Sequence, residues 1–455
     1  MGKREHLLKI GVSGIRGVVG EFLTPSLACA CAQAFGSYVG RGTVVVGRDT
    51  RASGPMLQHA VTCGLLAAGC EVIDVGVLPT PTLQVYVSAT GALGGISLTA
   101  SHNPPEYNAL KLFNGPGQFF NQYEREELLD LYHQSDFQQA INSQIGGVRQ
   151  VLDQAPRLHL DRVLRHVDAA RIRGCGFRVA LDGVNGAGSV MTPRFLREDL
   201  GCVLHAISVD PTQPFPREAE PKPETLGDLA RLVTETNSEV GFAQDPDGDR
   251  LAVADEHGHV LDNDDVLALA VDAALARLPG DVVVNLTTSS AIDDIAAKHG
   301  RKVIRTKVGE ANVVEAMQQV GAAIGGEGSN GGIIFPAVHL CRDSFTGMAF
   351  LLDLMASTGK TMSALARELP RYYRRFGAVI FEHGKLGDLM LKLEERFAGA
   401  EMDRMDGLKI RLRKGWIHVR ASNTEPLLRI AVEASTESDA EELYRSVTLL
   451  DSNRD

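Results

Sequence analysis

TVVVGRDTRASGPMLQHAVTCGLLAAGCEVIDVG, residues 43–76, decides the fold. A β-branched run, Thr43–Val46, leads through a polar loop into a helix-forming stretch and a second apolar run ending near Val75. Strand, helix and strand in that order make a βαβ unit, whose parallel strands require a crossover helix. Ser53 is a natural cap for its helix. Upstream, Thr24-Pro25 supplies an N-cap followed by proline at the first helical position, and the helix is expected to run to about Tyr38. Leu27, Cys31, Phe35 and Tyr38 fall near one face of it. Further upstream, IGVSGIRGVVG (10–20) reads as a glycine-punctuated strand and turn with one charge, Arg16. Downstream, GGISLTASHNPPEYNALKL (94–112) opens as a buried strand. Asn103-Pro104-Pro105 stops its ladder, because proline has no N–H to donate.

The pattern recurs. FRVALDG (177–183) is a strand, VNGAGSVMTPRFL (184–196) opens a helix, and VLHAISVD (203–210) is a second strand. A proline-rich loop, DPTQPFPREAEPKPE, precedes another helix, and SEVGFAQDPDGDRLAVADEHG closes the unit near residue 256. A third unit runs from DDVLALAVDAALARL through DVVVNLTTSS, RKVIRTKVG and AAIGGEGSNGG to about Leu369. The remainder is more basic, with short alternating strands in GLKIRLRKGWIHVRASNTEPLLRIAVEA and a closing helix. The expected fold class is α/β, with domains at 1–150, 151–256 and 257–369 and a smaller α+β domain at 370–455. Gln134–Gln154 is polar and reads as an exposed connection.

Composition narrows the function. With 455 residues, 44% of them hydrophobic, the chain can bury several cores and reads as a soluble globular protein. A net charge of −11 argues against nucleic acid or an anionic membrane as the main partner. An anionic substrate would have to be held by local Arg, Lys and backbone N–H groups. The two most apolar helical runs are interrupted by Asp272 and Asp353, so no membrane span is expected. Seven scattered cysteines without a C-x-x-C pair suggest reduced thiols and a cytoplasmic address.

Four stretches carry chemistry. Ser101 sits on a loop at the carboxyl end of a strand, where open α/β sheets bind ligands, with His102 beside it and Lys111 ten residues on. A hydroxyl with an adjacent acid/base and a cation suits a phosphoryl acceptor, although a polar turn capping a strand has the same composition. Asp245-Pro246-Asp247-Gly248-Asp249-Arg250 places carboxylates at i, i+2 and i+4, on one side of an extended segment. Three oxygens from one short loop suit a hard cation such as Mg²⁺. A calcium loop would want glycine at its sixth position, where Arg250 stands. Glu327 and Ser329 lie in a glycine-rich loop, GGEGSNGG, that suits close reading of sugar hydroxyls or serves as a flexible turn. RASNTEP (420–426) offers a guanidinium, hydroxyls and turn N–H groups that could nest a phosphate.

Three weaker signals accompany them. Gly183-Val-Asn-Gly186-Ala-Gly188 reverses the spacing of the dinucleotide fingerprint and reads as a tight turn. Gly47-Arg48-Asp49-Thr50-Arg51 could face a cleft or form a surface ion pair, and Trp416 reads as a packing residue of the last domain.

Taken together and in this order, TASHNPPEYNALK, DPDGDR, GEGSNGG and RASNTEP resemble the four motifs of the α-D-phosphohexomutase superfamily, across essentially the whole chain. The resemblance implies three similar α/β domains with mixed sheets and a smaller C-terminal domain around a central cleft. It implies a phosphohexomutase that interconverts hexose 1- and 6-phosphates through a phosphoserine and a hexose 1,6-bisphosphate, which also serves as activator. By position, Ser101 would carry the phosphoryl group, and Asp245, Asp247 and Asp249 would hold Mg²⁺ with it. Arg16 and Lys111 would serve proton transfer and phosphate stabilisation, and His102, from its place beside Ser101, is a further catalytic candidate. Arg250, Lys307, Glu327, Ser329 and Arg429 would bind substrate, and Arg420, Ser422, Asn423 and Thr424 would grip the idle phosphate. Many relatives have a histidine after Ser-Gly in the third loop, whereas Asn330, Gly331 and Gly332 follow Ser329 here, a form similar to that of archaeal-type enzymes. That variant favours glucosamine phosphate, with mannose or glucose phosphate as alternatives. A Mg²⁺-dependent sugar phosphatase needs no idle-phosphate loop, and a silent sugar-phosphate-binding protein needs no intact serine, aspartate trio and lysine. A monomer or homodimer is expected, with a phosphosugar as the small-molecule partner.

Overall fold

Val44, Val45 and Val46 are fully buried in a strand whose neighbours on both sides run parallel to it. The structure, a computed structural model, describes residues 11, 14–135, 137–329, 331–380, 386–421 and 427–448. The first sheet contains β1 (Ile15–Val18), β2 (Thr43–Arg48), β3 (Glu71–Val77), β4 (Gly94–Leu98), β5 (Tyr107–Asn114) and β6 (Val148–Gln150), in the order β1-β5-β4-β2-β3-β6. The second contains β7 (Arg178–Asp182), β8 (Val203–Ile207), β9 (Val240–Gln244) and β10 (Leu251–Asp255), in the order β10-β9-β7-β8. The third contains β11 (Val282–Asn285), β12 (Val303–Thr306), β13 (Ile324–Glu327), β14 (Gly332–Phe335) and β15 (His339–Arg342), in the order β12-β11-β13-β14-β15.

All three sheets are mixed. Parallel strands joined through helices are followed by an antiparallel return at β4–β5, β9–β10 and β13–β14. The lengths dictate this: a parallel return needs a dozen or more residues, and these connections are much shorter. The three returns carry Ser101, the Asp245–Arg250 loop and Ser329. The fourth sheet is antiparallel throughout, with β16 (Tyr373–Ile380), β17 (Glu401–Asp403), β18 (Leu408–Leu412), β19 (Gly415–Ala421) and β20 (Leu427–Ala434), ordered β16-β20-β19-β18-β17. Its motif loop falls between β19 and β20, so Ser422, Asn423 and Thr424 lie outside the described residues. The chain is therefore three similar α/β domains and a different C-terminal one.

One continuous apolar core joins the first three domains, built on helices Thr80–Thr90, Gln154–Leu164 and Ser344–Thr358. Inside it, buried His159 bonds Thr82 Oγ1 at 2.8 Å and Asp343 Oδ2 at 3.1 Å, tying one residue from each of three helical regions. The C-terminal domain has its own core, including Leu393, Leu408, Ile417 and Val432. Polar contacts carry much of its junction with the third domain: Arg374 pairs with Asp262 and Asp264, and Val308 N donates to Asp406 Oδ2 at 3.0 Å. Interdomain contacts of this kind allow relative motion.

Several expectations need adjustment. The first helix spans Pro25–Val39, with Thr24 accepting from Leu27 N as foreseen. Ser53 makes no cap bond: its backbone is helical instead of the extended form a capping residue takes, and its hydroxyl accepts from Asn108 Nδ2 at 2.9 Å. The exposed connection at 134–154 contains β6, which pairs with β3; three exposed residues give no alternation to read. The helix expected at 184–196 is a 3₁₀ turn, Ala187–Val190, followed by one irregular helical stretch. Its entry is tight as read: Val184 and Asn185 have positive φ, and a Cβ on Gly186 would lie 2.6 Å from Pro246 backbone atoms. Trp416 packs at the third-domain boundary, with its Nε1 donating to Glu433 Oε1 at 2.8 Å. Among the described residues, no helix is long and apolar enough to cross a membrane.

Candidate active site

β4 ends at Leu98, and the chain leaves the ladder through Thr99, Ala100 and Ser101. Ser101 is 2% exposed and sits at φ +50°, a left-handed conformation uncommon for residues other than glycine. Its N–H donates to Thr99 Oγ1 at 2.9 Å, and its Oγ donates to Asp245 Oδ2 at 2.8 Å. The serine and the aspartate loop, 144 residues apart in sequence, are therefore in direct contact. His102 Nδ1 lies 3.4 Å from the same hydroxyl. Burial, aided by Arg250, pushes the imidazole down to about 3, so it is neutral at physiological pH. An imidazolium proton donor, one half of the expected acid/base role, is thereby disfavoured.

The aspartate loop is not extended. Residues i and i+4 of a strand lie roughly 13 Å apart, yet one carboxylate oxygen from each of Asp245, Asp247 and Asp249 lies within 4.8 Å of the others. A turn achieves this: Gly248 takes φ +67° and its N–H donates to Asp245 O at 3.0 Å. Asp247 Oδ2 receives Thr80 Oγ1 at 2.5 Å and Lys111 Nζ at 2.6 Å, and Asp249 Oδ2 receives Arg342 Nη2 at 2.7 Å. Asp247 Oδ1 and Asp249 Oδ1 are buried without a partner among the described residues.

These features fit a divalent cation. Burial, then Asp249 and Asp247, push the Asp245 carboxyl well above the ordinary range, the mark of three acids confined together. Two orphaned carboxylate oxygens, all three ligand residues nearly inaccessible, and a purely oxygen donor set suit a hard ion. Burial alone would raise Asp247 and discharge Lys111. Their ion pair outweighs that, holding the carboxylate low and the ammonium protonated.

Arg342 and Thr80 carried no motif and were missed in the sequence. Arg342, on β15, also donates through Nε to Glu310 Oε2 at 2.8 Å and lies 4.0 Å from Glu327 Oε2. Only the topology, which lays β15 beside β14, delivers it to the site. Arg16 reaches the serine loop through Asn103 Oδ1. Arg250 Nη1 bonds Glu220 Oε1 at 2.6 Å, and Glu220 in turn pairs with Lys222 at 2.5 Å. The motif at 47–51 is not a surface ion pair, since Asp49 and Arg51 are buried.

Lys222 belongs to the wall of a cavity of ≈ 700 Å³ that also includes Ser329, Arg374, His418, Arg420 and Arg429. This cavity lies between the second, third and C-terminal domains; Ser101 and the aspartate trio are not in its lining. The link between the two regions runs Lys222–Glu220–Arg250. Glu327 is buried at the end of β13, accepting Gly309 N at 2.7 Å and Asn285 Nδ2 at 3.0 Å. Lys307 is exposed, one residue before the cavity-lining Val308.

Comparison with known proteins places this arrangement in context. Four family profiles match in order: phosphoglucomutase/phosphomannomutase alpha/beta/alpha domain I over residues 7–139, domain II over 157–258, domain III over 262–373, and the C-terminal domain over 384–449. The chain is 41% identical to a "Probable phosphoglucosamine mutase" of Methanopyrus kandleri, covering 95% of each chain. It is 40% identical to a "Phosphoglucomutase/phosphomannomutase" of Thermococcus kodakarensis, covering 95% of this chain and 96% of the other. A crystal structure of a phosphoglucomutase/phosphomannomutase family protein from Burkholderia thailandensis superposes with a TM-score of 0.84 at 27% identity, covering 97% of this chain and 96% of that one.

Proposed function

The chain belongs to the phosphoglucomutase/phosphomannomutase family of α-D-phosphohexomutases, and on that premise we propose that it interconverts glucosamine 1- and 6-phosphate through phosphorylated Ser101. It is a phosphohexomutase, an isomerase that moves phosphate within a hexose. The observation that carries the proposed chemistry is the Ser101 hydroxyl 2.8 Å from Asp245, inside an acidic trio with two orphaned oxygens.

In the first half-reaction the free sugar hydroxyl forms a P–O bond as the Ser101 Oγ–P bond breaks, and the hydroxyl proton ends on Ser101 Oγ. The product is a hexose 1,6-bisphosphate. Once it has turned end for end, its other phosphate returns to Ser101 and the proton passes back to the sugar oxygen. Phosphoryl transfer depends chiefly on alignment and charge neutralisation. Lys111, kept protonated by its aspartate partners, supplies fixed positive charge within the aspartate trio that Ser101 Oγ contacts. Asp245, Asp247 and Asp249 would hold Mg²⁺, which when bound neutralises charge on the transferring group. Arg420 and Arg429 on the C-terminal domain would hold the idle phosphate, with Ser329 of the same cavity, and Glu327 buried at the end of β13, reading the sugar. The separate C-terminal core and its polar junction suit the opening that the turning intermediate requires.

Glucosamine is favoured by the Ser329-Asn330-Gly331-Gly332 form of the third loop and by the name of the Methanopyrus relative. Seven free cysteines support a reducing, cytoplasmic setting. The test compares glucosamine, mannose and glucose 1-phosphates with Mg²⁺ and the matching 1,6-bisphosphate as activator. Highest kcat/KM with glucosamine phosphate is expected. A preference for mannose or glucose phosphate would overturn the sugar assignment, and inorganic phosphate in excess of isomer would overturn the mutase chemistry.

A further inference from the structure

The Ser101 loop, which holds two prolines, and the first residue of β5 bring four carbonyls together around one buried guanidinium. One side chain takes them. Arg51 follows β2, is 3% exposed, and donates through Nη1 to Pro104 O at 2.6 Å and Tyr107 O at 3.0 Å. Through Nη2 it donates to Ser101 O at 2.7 Å and Asn103 O at 2.7 Å. Its Nε donates to Asp49 Oδ2 at 3.0 Å, so all five guanidinium donors are used. Asp49 is itself fixed, accepting Arg51 N at 2.9 Å and Thr99 Oγ1 at 2.7 Å. Thr99 Oγ1 in turn accepts the Ser101 N–H, so both backbone polar groups of Ser101 end on this cluster. Phe215, from the proline-rich loop, covers the guanidinium at 5.2 Å, and Thr50 Oγ1 donates to Asn185 O at 2.7 Å across to the second domain.

We infer that Arg51 is the positioning residue of the nucleophile: it grips the loop by its main chain and holds Ser101 in its left-handed conformation with Oγ against the aspartate trio. Among the described residues, the Arg51 guanidinium bonds Asp49 and the serine loop and not Asp245, Asp247 or Asp249, so it acts through the loop. A planar fork is needed for this, because the four carbonyls approach from separate directions. A lysine presents three donors from one point and cannot span them. The inference rests on the reading of Ser101 as phosphoryl carrier.

Two measurements on Arg51→Lys test it: steady-state kinetics, and hydrogen–deuterium exchange of amides 99–108. Misplacing a reacting group by an ångström costs on the order of a hundredfold in rate. The expected result is a fall in kcat of about that size with KM for the sugar phosphate retained, and faster exchange in the loop. Guanidinium added to Arg51→Ala should recover part of the rate. If both variants fold poorly, Asp49→Asn, which loosens the guanidinium while keeping its shape, must show the same fall in kcat at constant KM. Wild-type kcat in Arg51→Lys, or a raised KM at unchanged kcat, overturns the inference. Should the wild-type chain show no mutase activity, the functional reading falls instead, and Arg51 is then judged by exchange alone: unaltered loop protection overturns it, accelerated exchange supports it.

Discussion

Replacing Thr80 by valine removes one hydroxyl and almost no volume. Thr80 is 1% exposed, and its Oγ1 donates to Asp247 Oδ2 at 2.5 Å. Lys111 Nζ holds the same oxygen at 2.6 Å, so these two donors fix the carboxylate plane and leave Oδ1 buried and free to take a cation. A hydrogen bond to a charged group contributes about 1.5–3 kcal/mol. Because the ammonium remains in Thr80→Val, the lower figure applies, and about 1.4 kcal/mol corresponds to a factor of ten in affinity. Partners of metal-ligating groups usually cost ten- to a hundredfold when removed, which brackets the same value. The assay is a Mg²⁺ or Mn²⁺ titration followed by calorimetry and by mutase rate, with Thr80→Ser as the restoring control. The reasoning predicts cation binding about tenfold weaker in Thr80→Val, with wild-type affinity in Thr80→Ser. Unchanged cation affinity in the valine variant would show that this bond does not orient the ligand.

Gly186→Ala drives a Cβ to within 2.6 Å of the Pro246 backbone and should destabilise the protein by about 1–3 kcal/mol while lowering activity; a thermal midpoint and rate equal to wild type would mean the two loops have slack. Ser101→Gly and Ser101→Ala should both be inactive, but the glycine variant should be the more stable by about 1 kcal/mol, since φ +50° costs alanine and not glycine; equal denaturant midpoints would contradict the backbone assignment. Burial, aided by Arg305, pushes Lys409 down to about 6. The unfolded chain therefore holds one more proton from about pH 6 up to the ordinary lysine pKa of about 10.4. Stability should rise with pH across that window by up to about 1.4 kcal/mol per unit, with the full penalty present below pH 6. Lys409→Met should flatten this dependence and stabilise the protein at pH 7; parallel pH profiles of the thermal midpoint would count against it.

The loops were legible because glycine, proline and polar residues interrupt apolar runs, whereas the antiparallel returns at β4–β5, β9–β10 and β13–β14 were expected only through the resemblance. The aspartate trio announced a hard-ion site, but strand periodicity gave it the wrong shape, since a turn at Gly248 gathers the oxygens. Local text cannot report long-range partners. Lys111 meets Asp247 across 136 residues and Arg342 meets Asp249 across 93, so the electrostatics of the site emerge only from sheet order. The same limit explains Arg51, which reads as an ordinary loop cation until the serine loop folds over it. It also explains His102, whose neutral state comes from burial and from Arg250, far along the chain. Ser53 had the right residue type for a cap, but its helical backbone turns the hydroxyl away from the helix N–H groups and towards Asn108 on β5.

The most direct measurement follows the phosphoryl group itself. Wild-type protein incubated with Mg²⁺ and a hexose 1,6-bisphosphate is quenched, digested and examined by mass spectrometry, alongside Ser101→Ala. One phosphoryl group on the peptide containing Ser101, lost on addition of excess hexose 1-phosphate and absent from the variant, is the predicted result. Label on any other residue, or turnover undiminished in Ser101→Ala, would contradict the account.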